Sequence, residues 1–155
     1  METLSGTCVK GTYILVLHLP EEKKIEIGQL GTFRFSKGFY AYVGSAFGEG
    51  GLEQRLSHHL QISSKPHWHI DYLRQYSHVV EIWTVKSSEK LEHVWAELLK
   101  KMPGGNFFLN GFGSSDCKCV SHLFYFSNLP LFQNFTELAK RNMKNKTYEI
   151  ERVIV

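Results

Sequence analysis

Two short segments set a tyrosine close to a glycine in a β-rich context, Gly11-Thr12-Tyr13 and Tyr42-Val43-Gly44-Ser45-Ala46. A phenol can donate or accept a hydrogen bond and, once ionised, remove a proton, although a tyrosine near a strand glycine is by itself an ordinary packing residue. Arg55 and His59 then stand at i and i+4, so one helical face projects a guanidinium and an imidazole together. His67 and His69 are two apart: on a helix they diverge by about 200°, whereas on an extended lead-in they could face one ligand. Cys117, Cys119 and His122 offer the thiolate and imidazole groups that zinc prefers. Their spacing is not the Cys-x-x-Cys of a zinc knuckle, and a fourth ligand would have to come from Cys8 or a distant histidine. The expectation is that the cysteines are buried small hydrophobes.

These groups need elements to hold them. Thr12 to Leu19 is a β-rich run closed by Pro20, and Lys24-Ile25-Glu26-Ile27 alternates polar with apolar, so the two read as a hairpin. Phe33 to Phe35 and Phe39 to Val43 add further strand character between glycines. After Gly48-Glu49-Gly50-Gly51, Leu52, Leu56, His59 and Leu60 recur at helical spacing. Pro66 is expected to open a second helix carrying Trp68, Ile70 and Leu73. Val79 to Val85 returns to strand. Ser87-Ser88 would cap a helix striped by Leu91, Val94, Trp95, Leu98 and Leu99, which Pro103-Gly104-Gly105 ends. Leu123 to Phe126, Phe132 to Lys144 and Tyr148 to Val155 read as strand, helix and terminal strand. Strands and helices in this order give an α+β fold, a small antiparallel or mixed sheet flanked by helices.

The chain has 155 residues, 43% of them hydrophobic and 21% charged, which suits one globular domain and excludes a disordered or coiled-coil chain. No apolar run is long enough to span a bilayer, and Met1-Glu2-Thr3-Leu4-Ser5 lacks the basic start and apolar stretch of a signal peptide. No membrane association and a cytoplasmic location are therefore expected. Three cysteines, an odd number, suit a reducing compartment. The net charge of +3 permits a polyanionic partner without requiring one.

The combination of Gly11-Thr12-Tyr13, Tyr42-Val43-Gly44 and Arg55-Leu56-Ser57-His58-His59 resembles the GIY-YIG nuclease superfamily, with Thr12 and Val43 standing where that pattern has isoleucine. The connection between Tyr13 and Tyr42 is longer than in most members, and the surplus reads as an inserted strand pair, Lys23 to Phe35. His67-Trp68-His69-Ile70-Asp71-Tyr72-Leu73 and Gly111 to Leu123, with its Gly-Phe-Gly-Ser-Ser-Asp-Cys start, are similar to an uncharacterised branch of that clan. Members of this branch are sometimes fused to an endonuclease-III-type glycosylase. The likeness covers about residues 11 to 123, which leaves 127–155 as a family-external extension of a single domain, 1–155.

The resemblance implies metal-dependent hydrolysis of phosphodiester bonds in DNA, in a repair setting. Tyr13 would act as general base, Tyr42 would orient phosphate or water, and Arg55 would offset charge growing on the phosphate oxygens, with His59 beside them. An ordinary phenol is only about one part in a thousand ionised at neutral pH, so Arg55, metal-bound water and His59 are expected to lower the pKa of Tyr13. Glu92, with Glu97 as the fallback, would hold Mg²⁺ or Mn²⁺, since one carboxylate plus water and phosphate oxygens suits such an ion. His67, His69, Ser45 and Asp116 would serve substrate binding, Asp116 from a tight loop against the active face. A non-catalytic nucleic-acid-binding domain of the same fold is the alternative. A small-molecule phosphoesterase, or a redox protein using Cys117 and Cys119, is a third reading.

Overall fold

The computed structural model describes residues 9–107, 109–113, 121–143 and 148–155; Cys8, Asp116, Cys117 and Cys119 lie outside them. Strand β1 (Gly11–Leu19) is buried almost throughout, with alternate residues serving two cores. Tyr13, Leu15 and Leu17 face one side of the sheet while Ile14 and Val16 face the other, as period-2 geometry requires. This is why its sequence is a nearly continuous apolar run.

The expected hairpin from β1 into the next strand does not form. Strand β2 (Lys23–Ile27) pairs instead with β3 (Gly31–Phe35) in a separate two-stranded sheet, joined by a 3₁₀ turn at Gly28–Leu30. The alternation read in β2 is real, with Ile25 and Ile27 buried, but it marks a face and not a neighbour. The inserted strand pair is thus present at Lys23–Phe35. The neighbours of β1 are β4 (Gly38–Ala46) and β5 (His78–Lys86), both antiparallel. Strands β6 (Asn106–Phe107), β7 (Leu123–Phe126) and β8 (Ile150–Ile154) complete, among the described residues, a six-stranded sheet of order β6-β7-β4-β1-β5-β8. All its pairings are antiparallel, and the fold is α+β.

Helices cover both faces. α1 (Gly51–Leu60), α2 (His69–Arg74) and the β2–β3 pair enclose the side bearing Tyr13, Leu15 and Tyr42. α3 (Glu92–Lys101) and α4 (Phe132–Asn142) enclose the side bearing Ile14, Val43 and Trp83. Phe135 of α4 packs there between Trp83 and Trp95, at ring-centroid distances of 5.3 and 4.9 Å.

Two helix starts differ from expectation. α2 begins at His69 and not at Pro66, because Asp71 Oδ2 accepts the backbone N–H groups of His67 (2.8 Å) and Trp68 (3.0 Å) and holds those residues before the helix. α3 begins at Glu92, since the Ser87 hydroxyl accepts the Glu89 amide in a local turn and caps no helix. No helix among the described residues is long and apolar enough to cross a membrane.

Candidate active site

Register and a missing side chain bring the first groups together. Tyr13 lies opposite Gly44, and Tyr42 opposite Leu15, so both phenols leave the same face of the β1–β4 pair. A Cβ on Gly44 would collide with the phenol oxygen of Tyr13, so the glycine is the floor on which that ring lies. The two tyrosine rings are 6.5 Å apart between centroids.

α1 is laid across the end of these strands by Gly50 and Gly51, whose φ values of 86° and 61° let the chain leave β4 and turn at once. The Leu52 amide then bonds to Val9 O at 2.9 Å, fixing the helix start against the lead-in to β1. From this helix His59 points inward, 1% exposed, and its Nε2 is 2.7 Å from the Tyr13 hydroxyl. Arg55, one turn earlier, donates from a terminal guanidinium nitrogen to Ser45 O at 3.0 Å and lies 4.4 Å from the centroid of the Trp68 ring. The Ser45 hydroxyl donates to Glu92 Oε1 at 2.7 Å, and His122 Nδ1 is 2.9 Å from Glu92 Oε2. Tyr13, Tyr42, Ser45, Arg55, His59 and Glu92 are therefore one connected group. Glu97 is exposed on α3 and stands apart from it.

Burial and charge set the protonation of these groups. Burial pushes the Tyr13 phenol up, and Arg55 offsets this only in part while Glu92 adds to it. Tyr42 is raised likewise by burial, then by Tyr13 and Glu92. Burial lowers His59 to about 3 despite the attraction of Asp71, so its ring is neutral at physiological pH. Burial alone would raise Glu92, but the bonds from His122 and Ser45 and the charges of His122 and Arg55 outweigh it and keep the carboxylate ionised. An ionised carboxylate thus stands close to a guanidinium, a pair able to hold a cation and an anion side by side.

The remaining sequence candidates separate. His67 is exposed, with its ring against Trp68 at 4.9 Å and its amide on Asp71. His69 Nδ1 accepts the Gly113 N–H at 2.9 Å, and burial lowers the ring's pKa, so it acts as an acceptor fixing the 111–113 turn. Ser45, expected to touch substrate, joins Arg55 to Glu92 instead. Asp116, Cys117 and Cys119 lie outside the described residues. Three residues enter that sequence reasoning gave no such role. His122 braces Glu92, Trp68 backs Arg55, and His58 pairs with Asp71 at 3.0 Å between Nε2 and Oδ1. These contacts join positions far apart in the chain, and no local pattern signals them.

The family described as "Domain of unknown function DUF123" matches residues 12–145, a span that includes every strand and helix named above except β8 and the first residue of β1. No curated protein and no solved structure matches the chain.

Proposed function

The chain belongs to the DUF123 family, and from that premise we propose that it is a metal-dependent nuclease that hydrolyses phosphodiester bonds in DNA through a GIY-YIG-like site, in a repair role. The observation that carries this reading is the connected path from Tyr13 through Arg55 and Ser45 to Glu92, which sets a phenol, a cation and an ionised carboxylate together. Binding alone would need no such path. The cytoplasm is the compartment proposed, since its reducing conditions suit three cysteines.

Glu92 fits the role of holding Mg²⁺ or Mn²⁺. It is ionised, its two oxygens are oriented by Ser45 and His122, and each oxygen keeps a further lone pair for a metal. A bound divalent ion would supply charge stabilisation to the phosphate. Arg55 pairs with a phosphate oxygen and offsets the charge that develops there. Tyr42 orients the phosphate or the attacking water. Tyr13 is the proton acceptor for that water, with His59 holding its oxygen. In the unliganded site burial keeps this phenol protonated. The reading therefore requires Arg55, together with the charge a bound divalent ion would bring, to lower this pKa so that the phenol loses its proton to solvent before it takes one from the attacking water.

The test is cleavage of supercoiled, damaged and branched DNA with Mg²⁺ or Mn²⁺. Arg55→Ala should lower the rate by about 10²-fold or more with an unchanged melting temperature. Absence of cleavage on every substrate, with DNA binding retained, would assign the chain to the non-catalytic alternative.

A further inference from the structure

A second group lies behind Tyr13 and shares only His59, through its Nε2, with the nuclease reading. One ligand atom each from His58, His59 and Asp71 falls within 4.8 Å of the other two. His59 and Asp71 are 1% and 3% exposed, while the His58 side chain is 33% exposed and gives the group its access to solvent.

Each of the three is aimed by a contact on its far side. Asp71 Oδ2 is held by the amides of His67 and Trp68, which leaves Oδ1 turned to His58 Nε2 at 3.0 Å. His59 Nε2 is engaged by the Tyr13 hydroxyl at 2.7 Å, so the nitrogen it has to offer is Nδ1. That nitrogen is fully enclosed and has no hydrogen-bond partner among the described residues. A buried imidazole nitrogen without a partner forfeits its hydration for nothing in return, which calls for an explanation. The His58–Asp71 hydrogen bond accounts for two members of the group as a brace between α1 and α2. It does not account for the third.

We propose that His58, His59 and Asp71 form a binding site for a borderline transition-metal dication, Zn²⁺ in the first instance, separate from the Glu92 position. Two imidazoles and one carboxylate are a donor set that Zn²⁺ and its neighbours accept and that Mg²⁺ disfavours. Tetrahedral ligands at about 2.1 Å from a metal are about 3.4 Å from one another, so a group whose atoms lie within 4.8 Å must draw together by no more than about 1.4 Å to bind. Three protein ligands leave a fourth position for water. Coordination through Nδ1 places the one remaining ring proton of His59 on Nε2, so this nitrogen donates to the Tyr13 oxygen as metal-bound histidines donate to an outer partner. Arg55 and Arg74 both lie near enough to act on the charge of His59, and they oppose a further cation. The expected affinity is therefore micromolar and no tighter.

Chelator-stripped full-length protein titrated with Co²⁺, followed by visible absorption and by Zn²⁺ competition in a calorimeter, tests this. One equivalent should bind at micromolar concentration, apart from weaker binding at Glu92, without a thiolate charge-transfer band, and His58→Ala and Asp71→Asn should each weaken that micromolar binding by about tenfold or more. Glu92→Gln should leave Co²⁺ affinity unchanged even where it abolishes DNA cleavage, so failure of the nuclease reading and failure of this site give different results. His58→Ala removes a side chain that is a third exposed, and its melting curve should show a folded protein. The proposal is overturned by any of three results: no saturable micromolar binding, which leaves His58 and Asp71 a hydrogen-bonded pair only; binding undiminished in folded His58→Ala; or a charge-transfer band lost in Cys117→Ser, which would place the metal on the cysteines.

Discussion

At Ser45 a single residue meets both signs of charge. Its hydroxyl donates to Glu92, while its carbonyl accepts from Arg55. The two contacts can be separated, because truncation to alanine removes the first and leaves the backbone carbonyl in place. Ser45→Ala should therefore loosen the Glu92 carboxylate and shift the Mg²⁺ or Mn²⁺ activation curve to concentrations about 10-fold higher or more, with turnover at saturating metal largely kept. Metal-dependence curves of the two proteins decide it, and identical curves would reduce Ser45 to a spacer. Tyr13, Tyr42, Arg55, His59 and Glu92 were grouped in the sequence only through the family resemblance, and the fold places them close together. The dual contact of Ser45 was not legible, since it depends on α1 and α3 meeting at the end of β4. In the unliganded site the pKa of Tyr13 is raised, because burial that no motif reports exceeds the pull of Arg55.

Among the elements, α4 shows how much of the fold rests on segments outside the motifs. Phe135 is fully buried between Trp83 and Trp95, and α3 and α4 share that core. Phe135→Ala should cost about 3–5 kcal/mol, the usual range for a large buried ring, and lower the melting temperature by roughly 10 °C. A change under about 1 kcal/mol in denaturant titration would mean that α4 is peripheral to the fold. The existence and type of most elements could be read from periodicity, since β1, β5, α1 and α3 each carry a pattern long enough to fix them, while that of α4 is weaker. Strand partners could not be read. Alternation in β2 says which side chains are buried, and only the packing of Ile25, Ile27 and Phe35 against the Tyr13 face decides that β2 joins β3 and leaves β1 to β4 and β5. Pro66 likewise gives a local bias toward a helix start, which the Asp71 carboxylate overrides by holding the amides of His67 and Trp68.

Over the whole molecule, three carboxylates shielded from water carry their charge on hydrogen-bond donors, some near in sequence and some brought from other elements. Asp71, Glu81 and Glu92 each suffer burial that would raise their pKa, and in each case hydrogen bonds from partners outweigh it and hold the group below its ordinary value. Glu81 is the one remote from the candidate site. Its Oε1 accepts from Trp83 Nε1 at 3.0 Å and from Arg152 Nε at 2.8 Å, and its Oε2 accepts from an Arg152 terminal nitrogen at 3.0 Å. Arg152 belongs to β8, so this contact ties the edge strand to β5 across 71 residues of sequence. Because the folded pKa is below the ordinary value of 4.5, the unfolded chain takes up a proton first as the solution is acidified. The stability contributed by Glu81 is therefore fully present above about pH 4.5 and is lost as pH falls through its folded pKa. Glu81→Gln imitates the protonated form at every pH. Wild type should melt several degrees higher than Glu81→Gln at pH 7, and the gap should narrow steadily below pH 4.5 as Glu81 itself protonates. Melting curves of both proteins from pH 7 to pH 3 measure it. A gap that stays constant over that range would mean that the pairing with Arg152 does not govern the charge of Glu81.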